Sequence, residues 1–102
     1  MSINLSQLKP LSFDWDEHNQ DKNWYKHQVK FRECEQIFSN EPLETFLDIK
    51  HSQKEPRFTA LGKTNKNRKL IITFTIRNKK IRVISARNQS HKERKLYEAK
   101  EK

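Results

Sequence analysis

Five arginines between positions 57 and 87 (Arg57, Arg68, Arg77, Arg82 and Arg87) carry the most chemistry in this chain. A guanidinium is a planar fork that grips two oxygens of one phosphate and keeps its charge at any ordinary pH. Just before them runs the polar loop His51-Ser52-Gln53-Lys54-Glu55. An imidazole with an unperturbed pKa of about 6.5 both gives and takes a proton near neutrality. Glu55, four residues on, either orients His51 or acts as a base itself. A purely structural role stands beside each of these: His51-Ser52 makes a hydrogen-bonded turn, Glu55 pairs with Arg57, and an arginine decorates the sheet rim. Lys26 and Lys80 offer further contacts to phosphate. Among the aromatics, Trp24, Tyr25 and Tyr97 can stack on bases, Tyr97 being the better candidate because it lies on a basic helix, where it alternatively packs that helix onto the sheet. His18 and His91 lack companion ligands, so neither a metal site nor a cofactor is indicated.

These side chains need a frame, and Leu70 to Tyr97 shows it most plainly. Apolar residues there alternate with Thr, Arg and Lys, the period-two pattern of a half-buried strand. With Asn78-Lys79 as a two-residue loop, 77 faces 80, 75 faces 82 and 73 faces 84. One side of the hairpin then holds Leu70, Ile72, Phe74, Ile76, Ile81 and Val83, and the other Thr73, Thr75, Arg77, Lys80 and Arg82. A greasy face implies a core; a cationic face implies an anionic polymer. Arg87 has core-side parity but stands at the strand's end, where it emerges beside the last helix.

The remaining elements follow from local signals. Residues 1–10 form a loose arm ending at Pro10, and residues 11–102 a single domain. Residues 11–15 make a short strand, and Asp16 caps a polar helix reaching His27 with Trp24 as its chief anchor. Phe31, Cys34, Ile37 and Phe38 share one face of a second helix, which Pro42 confines. Strands follow at Leu43–Ile49, Arg57–Thr64, Lys69–Arg77 and Lys80–Ala86. Gly62, the only glycine, marks a bulge or a close backbone approach. Ser90 and Glu93 make the capping box of a C-terminal helix. The fold class is α+β: a mainly antiparallel sheet of about four to five strands, two N-terminal helices packed on one face, and a C-terminal basic helix.

Charge is divided along the chain. Residues 1–50 hold 6 Lys/Arg against 9 Asp/Glu, net −3, and residues 51–102 hold 16 against 4, net +12. The cationic half favours nucleic acid or an acidic protein as partner. A membrane partner is not indicated, because no apolar run spans a bilayer and the last helix lacks an apolar side. The lone Cys34 excludes an intrachain disulfide and fits a reducing cytoplasm.

Several fragments, in one order, resemble the BrnT family of bacterial toxins. They are Phe13-Asp14-Trp15-Asp16; Asn23, Lys26-His27, Val29 and Phe31; Phe38, Pro42 and Asp48; and His51-Ser52, Glu55 and Arg57. Leu61-Gly62, Thr64 and Arg68 follow, then Ile81-Arg82, Ile84-Ser85-Ala86-Arg87, Glu93-Arg94 and Tyr97. Two positions depart from the pattern. Gln28 replaces the glycine after Lys-His, and Lys30 replaces the small cap of the second helix, so the corner between the helices lacks its usual devices.

The resemblance implies a fold similar to RelE-type ribonucleases and a toxin that cleaves RNA. It also implies inactivation by a cognate BrnA-like antitoxin of ribbon-helix-helix type, through which alone the complex contacts operator DNA. RNA can be cut without a metal when its 2′-hydroxyl attacks the adjacent phosphorus. The protein must then align the nucleophile, take its proton, neutralise the phosphate and protonate the leaving oxygen. Arg82, Arg87, His51, Glu55 and Arg57 are the catalytic candidates, and Lys26, Arg68, Arg77, Lys80 and Tyr97 the RNA-binding ones. A noncatalytic basic module that binds nucleic acid or antitoxin is the alternative.

Overall fold

A computed structural model describes Leu5 and residues 10–51 and 54–102, with the backbone alone at His51. Helices α1 (Lys22–His27) and α2 (Phe31–Ile37) precede β1 (Glu44–Leu47). Then come β2 (Phe58–Lys63), β3 (Lys69–Arg77), β4 (Lys80–Asn88) and α3 (His91–Lys100). The four strands pair antiparallel in the order β1-β2-β3-β4. The expected α+β class and its helix and strand order are what the structure shows.

Asn78 and Lys79 both take the left-handed backbone, φ 51° and 64°. This is the geometry a two-residue hairpin loop requires. It sets Arg77 opposite Lys80 and Thr75 opposite Arg82, as expected. Beyond that the register slips. Phe74 faces Val83, but Thr73 faces Ser85 rather than residue 84, so Ile84 is an extra residue on β4. Such a bulge reverses the in–out alternation of everything after it. Ala86 therefore turns to the core, fully buried, and Arg87 turns to the open face opposite Ile71. The expectation that Arg87 has core-side parity is corrected: it shares a face with Arg77 and Arg82.

The core lies between that sheet and the first two helices. Val29, Cys34, Ile37 and Phe38 pack on Ala60, Leu70, Ile72, Phe74, Ile81, Val83 and Ala86. Phe38 meets Phe74 edge to face at 5.2 Å and Phe13 at 5.7 Å. Burial pushes the Cys34 thiol up to about 12, so it remains a protonated core side chain.

Three expected elements are shorter. The helix expected from Asp16 begins at Lys22, because the Asp16 carboxylate accepts from the amides of His18 and Asn19 and closes a tight turn. The strand expected over residues 11–15 is a single parallel bridge, Phe13 to Ile81. The strand expected to reach Ile49 stops at Leu47, where a short 3-10 turn, Ile49–His51, takes over. Of the expected N-terminal arm, residues 1–4 and 6–9 lie outside the described residues; Leu5 packs against the core.

Gly62 is the close approach rather than a bulge. A Cβ there would lie 2.9 Å from Ile37 Cβ and 3.2 Å from the Ile37 carbonyl oxygen. Neither neighbour can swing away, so Gly62→Ala must lift α2 from the sheet. The expected loss is about 1–3 kcal/mol of stability, as for other overpacked cores, read from the urea midpoint.

Candidate functional site

β4 is an edge strand, and the chain's own N-terminal segment covers it. The Ile81 N–H donates to the Ser12 carbonyl at 2.9 Å, and the Asp14 N–H donates to the Ile81 carbonyl at 2.8 Å. Further along, the Asn19 amide donates to the Val83 carbonyl at 3.2 Å and the Lys22 ammonium to the Ile84 carbonyl at 3.2 Å. The Asn23 side chain accepts from the Ala86 N–H at 2.9 Å. Asn23, not Trp24, anchors α1: it is buried, whereas Trp24 is 41% exposed.

This seam sets two carboxylates against Arg82. The guanidinium donates to Asp16 at 2.9 Å and stands 3.5 Å from Asp14. The hydrogen bond from Arg82 holds the Asp16 carboxyl below the usual range. On the diagonal of the same face, Arg77 grips Glu55 with two donors, at 2.7 and 3.1 Å. The loop that delivers Glu55 is pinned by the Thr75 hydroxyl, which donates to the Pro56 carbonyl at 2.7 Å. The Arg77 hydrogen bonds lower the Glu55 pKa, and the charges of Arg57 and Arg82 lower it further. Glu55, Arg57, Arg77 and Arg82 therefore form one electrostatic cluster at the hairpin end of the open face, with Lys80 exposed beside it. Glu55 pairs with Arg77 rather than with Arg57 alone. The backbone of His51 enters this loop; its side chain and Ser52 lie outside the described residues.

The other candidates lie elsewhere. Arg87 stands opposite Ile71, four residues along β3 from the partner of Arg82, roughly 13 Å at ~3.3 Å per residue. It donates to both oxygens of Glu93, at 2.9 and 3.1 Å. That carboxylate also completes the expected capping box of α3, accepting from the Ser90 N–H. Arg87, together with the Ser90 contacts, brings Glu93 down to about 2. Tyr97 is fully buried, with its hydroxyl donating to the Pro42 carbonyl. Its ring therefore presents no face to a base, which corrects the stacking expectation and leaves the packing one.

Arg68 holds the helix corner. Its guanidinium donates to the carbonyls of His27 and Gln28, to both oxygens of Glu33, and to the side chain of Asn88. Gln28 ends α1 in the left-handed conformation, φ 58°, without the glycine that eases it. Lys30 supplies no side-chain cap to α2; instead the Glu33 carboxylate accepts the Lys30 N–H at 2.9 Å. The two departures from the family pattern are thus bridged by one Arg68–Glu33 pair. Lys26 is exposed on α1 and makes no ion pair among the described residues.

Sequence reasoning missed Asp14, Asp16, Glu33 and Glu93 as arginine partners, and Asn19 and Asn23 as clamps on the strand edge. Apart from Arg87–Glu93, six residues apart, these pairings join residues 35 to 68 positions apart, of which local sequence carries no sign beyond the presence of Asp14, Asp16 and Asn23 in the quoted fragments. Among the described residues, no group of His, Cys, Asp or Glu could hold a metal ion, and no helix is long and apolar enough to cross a membrane.

Two outcomes follow from these pairs. Arg68→Ala strands Glu33 and two helix-end carbonyls, at an expected cost of about 2–3 kcal/mol by denaturant unfolding. Arg68→Lys recovers less than half of it, since an ammonium cannot bridge the same groups. The depressed Glu93 carboxyl contributes stability that is fully present above its unfolded value of about 4.3 and disappears as pH falls towards about 2. Urea midpoints should therefore drop more steeply across that window in the native chain than in Glu93→Gln.

A family model described as the ribonuclease toxin BrnT of type II toxin–antitoxin systems matches residues 15–93. No curated protein matches the sequence at a significant level. The matched stretch runs from Trp15, beside the β4 seam, through all five arginines to Glu93 in the Arg87 pair. With well over half its length in that match, the chain belongs to the BrnT family of ribonuclease toxins of type II toxin–antitoxin systems, whose members act opposite an antitoxin partner.

Proposed function

We propose that this toxin is a metal-independent endoribonuclease that cuts RNA at the hairpin end of the open face and thereby inhibits translation. The observation that carries this reading is the Glu55 carboxylate gripped by Arg77 at the end of the face that also presents Arg82, with the charges of Arg57 and Arg82 near enough to lower its pKa. An exposed guanidinium fork can exchange the Glu55 carboxylate for an RNA phosphate, which it grips with the same two donors. When Arg77 turns from Glu55 to the phosphate, Glu55 loses the bond that lowers its pKa. It becomes a stronger base at the moment the 2′-hydroxyl must lose its proton. Arg82, clamped by Asp16 and Asp14, fixes the phosphate's position, and Arg57 adds charge to the developing dianion. His51, at the start of the same loop, is the proposed acid for the leaving oxygen. Arg87 and Lys80 hold neighbouring phosphates on the same face, and Lys26 lies further along the strand's path.

A cognate BrnA-like antitoxin of ribbon-helix-helix type silences the toxin in this reading by laying acidic groups over that face. The complex meets operator DNA only through the antitoxin, and the RelE-like label for the fold rests on the same resemblance. Its place of action is the cytoplasm.

Incubation with RNA in EDTA tests the proposal. The purified chain should yield 2′,3′-cyclic phosphate ends, and a 2′-O-methyl group at the cut position should abolish cleavage. Arg77→Ala and Arg82→Ala should each lower kcat by about 10²-fold or more, with the fold intact by circular dichroism. As the proposed acid, His51 must be protonated, so the rate should fall as pH rises through about 6.5, a loss that belongs to an imidazole because a carboxyl is already ionised there. Salt-sensitive binding without product would leave a noncatalytic binding module in its place.

A further inference from the structure

A cleft of about 280 Å³ opens between the turn before α1 and the start of α2, lined by Gln20, Asp21, Trp24, Lys30, Phe31 and Arg32. It lies just below the ~300 Å³ at which small-molecule sites begin, so it suits one flat ring system. We infer that this cleft is a stacking subsite for a single unpaired base of the RNA strand that passes Arg82. The inference rests on the nuclease reading above for the identity of that strand.

Three features point to a base rather than to a phosphate or an aliphatic side chain. First, an indole that is 41% exposed is unusual on so polar a helix. Phe31, in the same lining, packs T-shaped against Trp15 with the ring centroids 5.6 Å apart. Second, the walls differ in charge. The α1 side carries Asp21, which repels phosphate and accepts hydrogen bonds only; the α2 side carries Lys30 and Arg32. A nucleotide fits that polarity with the donors on its base edge towards Asp21 and its phosphates towards the two cations. Third, the cations already rest on the rings. The Lys30 ammonium lies 5.9 Å from the Trp24 centroid and the Arg32 guanidinium 5.8 Å from that of Phe31. An exposed cation–π contact is weaker than stacking of a base on an aromatic ring, so an entering base displaces Lys30 onto its own phosphate.

Position supports the assignment. The Gln20 N–H donates to the Asp16 carbonyl at 2.9 Å, and the Asp16 side chain holds Arg82. The cleft thus begins one turn of chain from Asp16, at the covered β4 edge where the helix layer meets the Arg82 face. A strand that rounds this edge from Arg82 brings one of its bases to the cleft.

A single-stranded 2′-O-methyl oligonucleotide, which cannot be cleaved, serves as the probe. Its addition should quench the emission of Trp24; the quench should persist in Trp15→Phe and vanish in Trp24→Phe. Affinity should fall roughly 5- to 100-fold in Trp24→Ala and far less in Trp24→Phe, which keeps a stacking ring. Melting curves verify that both variants fold. With cleavable RNA, Trp24→Ala should lower kcat/KM in the same proportion. Native affinity and native cleavage in Trp24→Ala would overturn the subsite while leaving the nuclease proposal standing. Trp24-dependent binding with no cleavage of any RNA would keep the subsite and sink the nuclease. Quenching by the antitoxin alone, and not by the oligonucleotide, would reassign the cleft to the antitoxin and overturn the inference.

Discussion

An edge strand exposes a row of unpaired N–H and C=O groups, and β4 meets that problem with the segment before α1 and the first turn of α1. Ser12 and Asp14 bond Ile81 through the backbone; Asn19, Lys22 and Asn23 reach the next groups through side chains. The change from backbone to side-chain cover falls where the Ile84 bulge breaks the ladder. A bulged edge no longer matches a straight strand, but amide side chains of different reach can follow it. The seam therefore permits the bulge, and the bulge places Arg87 on the face that Arg77 and Arg82 already occupy. The same seam fixes Asp14 and Asp16 beside Arg82. One interaction between the chain's start and its last strand thus settles where two of the five arginines, Arg82 and Arg87, point.

Much of this frame was legible in the residues. The period-two pattern located β3 and β4, the Asn78-Lys79 loop set the first two pairs of the register, and Ser90 with Glu93 located the start of α3. The lone glycine marked either a bulge or a close backbone approach, and the structure shows the second, against Ile37. What sequence did not reveal was long-range. The Ile84 bulge has no local signature, since neither glycine nor proline marks it, and the parity of Arg87 was misread in consequence. The weight given to Trp24 as an anchor followed its size; the fold uses Asn23 instead, because the strand edge needs a hydrogen-bond partner more than it needs apolar area. Tyr97 looked available on a polar helix, yet the helix docks by that ring, with the Lys63–Glu101 and Lys69–Glu101 pairs around it. Of the candidate site, Glu55, Arg57, Arg77 and Arg82 converge at one end of the open face, while Arg87 and Arg68 lie apart from that cluster. Their carboxylate partners were the part no local pattern could supply.

The two halves of the chain cancel each other's charge in a selective way. Acids from the N-terminal half and the loops reach the arginines: Asp14 and Asp16 to Arg82, Glu33 to Arg68, Glu55 to Arg77. Many lysines, among them Lys26, Lys79, Lys80, Lys92 and Lys95, have no ion pair among the described residues. The division follows from side-chain chemistry. A guanidinium held by a carboxylate is pre-oriented, so exchanging that carboxylate for a nearby phosphate costs little further ordering. An ammonium on a flexible stem supplies charge without direction. In the proposed reading, the lysines draw a polyanion in from a distance and the paired arginines set the register in which it settles. The internal carboxylates also raise the threshold for occupancy. A phosphodiester carries one charge over two free oxygens, as Glu55 and Asp16 do, so a single phosphate has no advantage over them. The repeat of that charge along a strand, met by several cations at once, is what favours exchange, and an ordinary protein surface offers such a repeat only where it is unusually acidic.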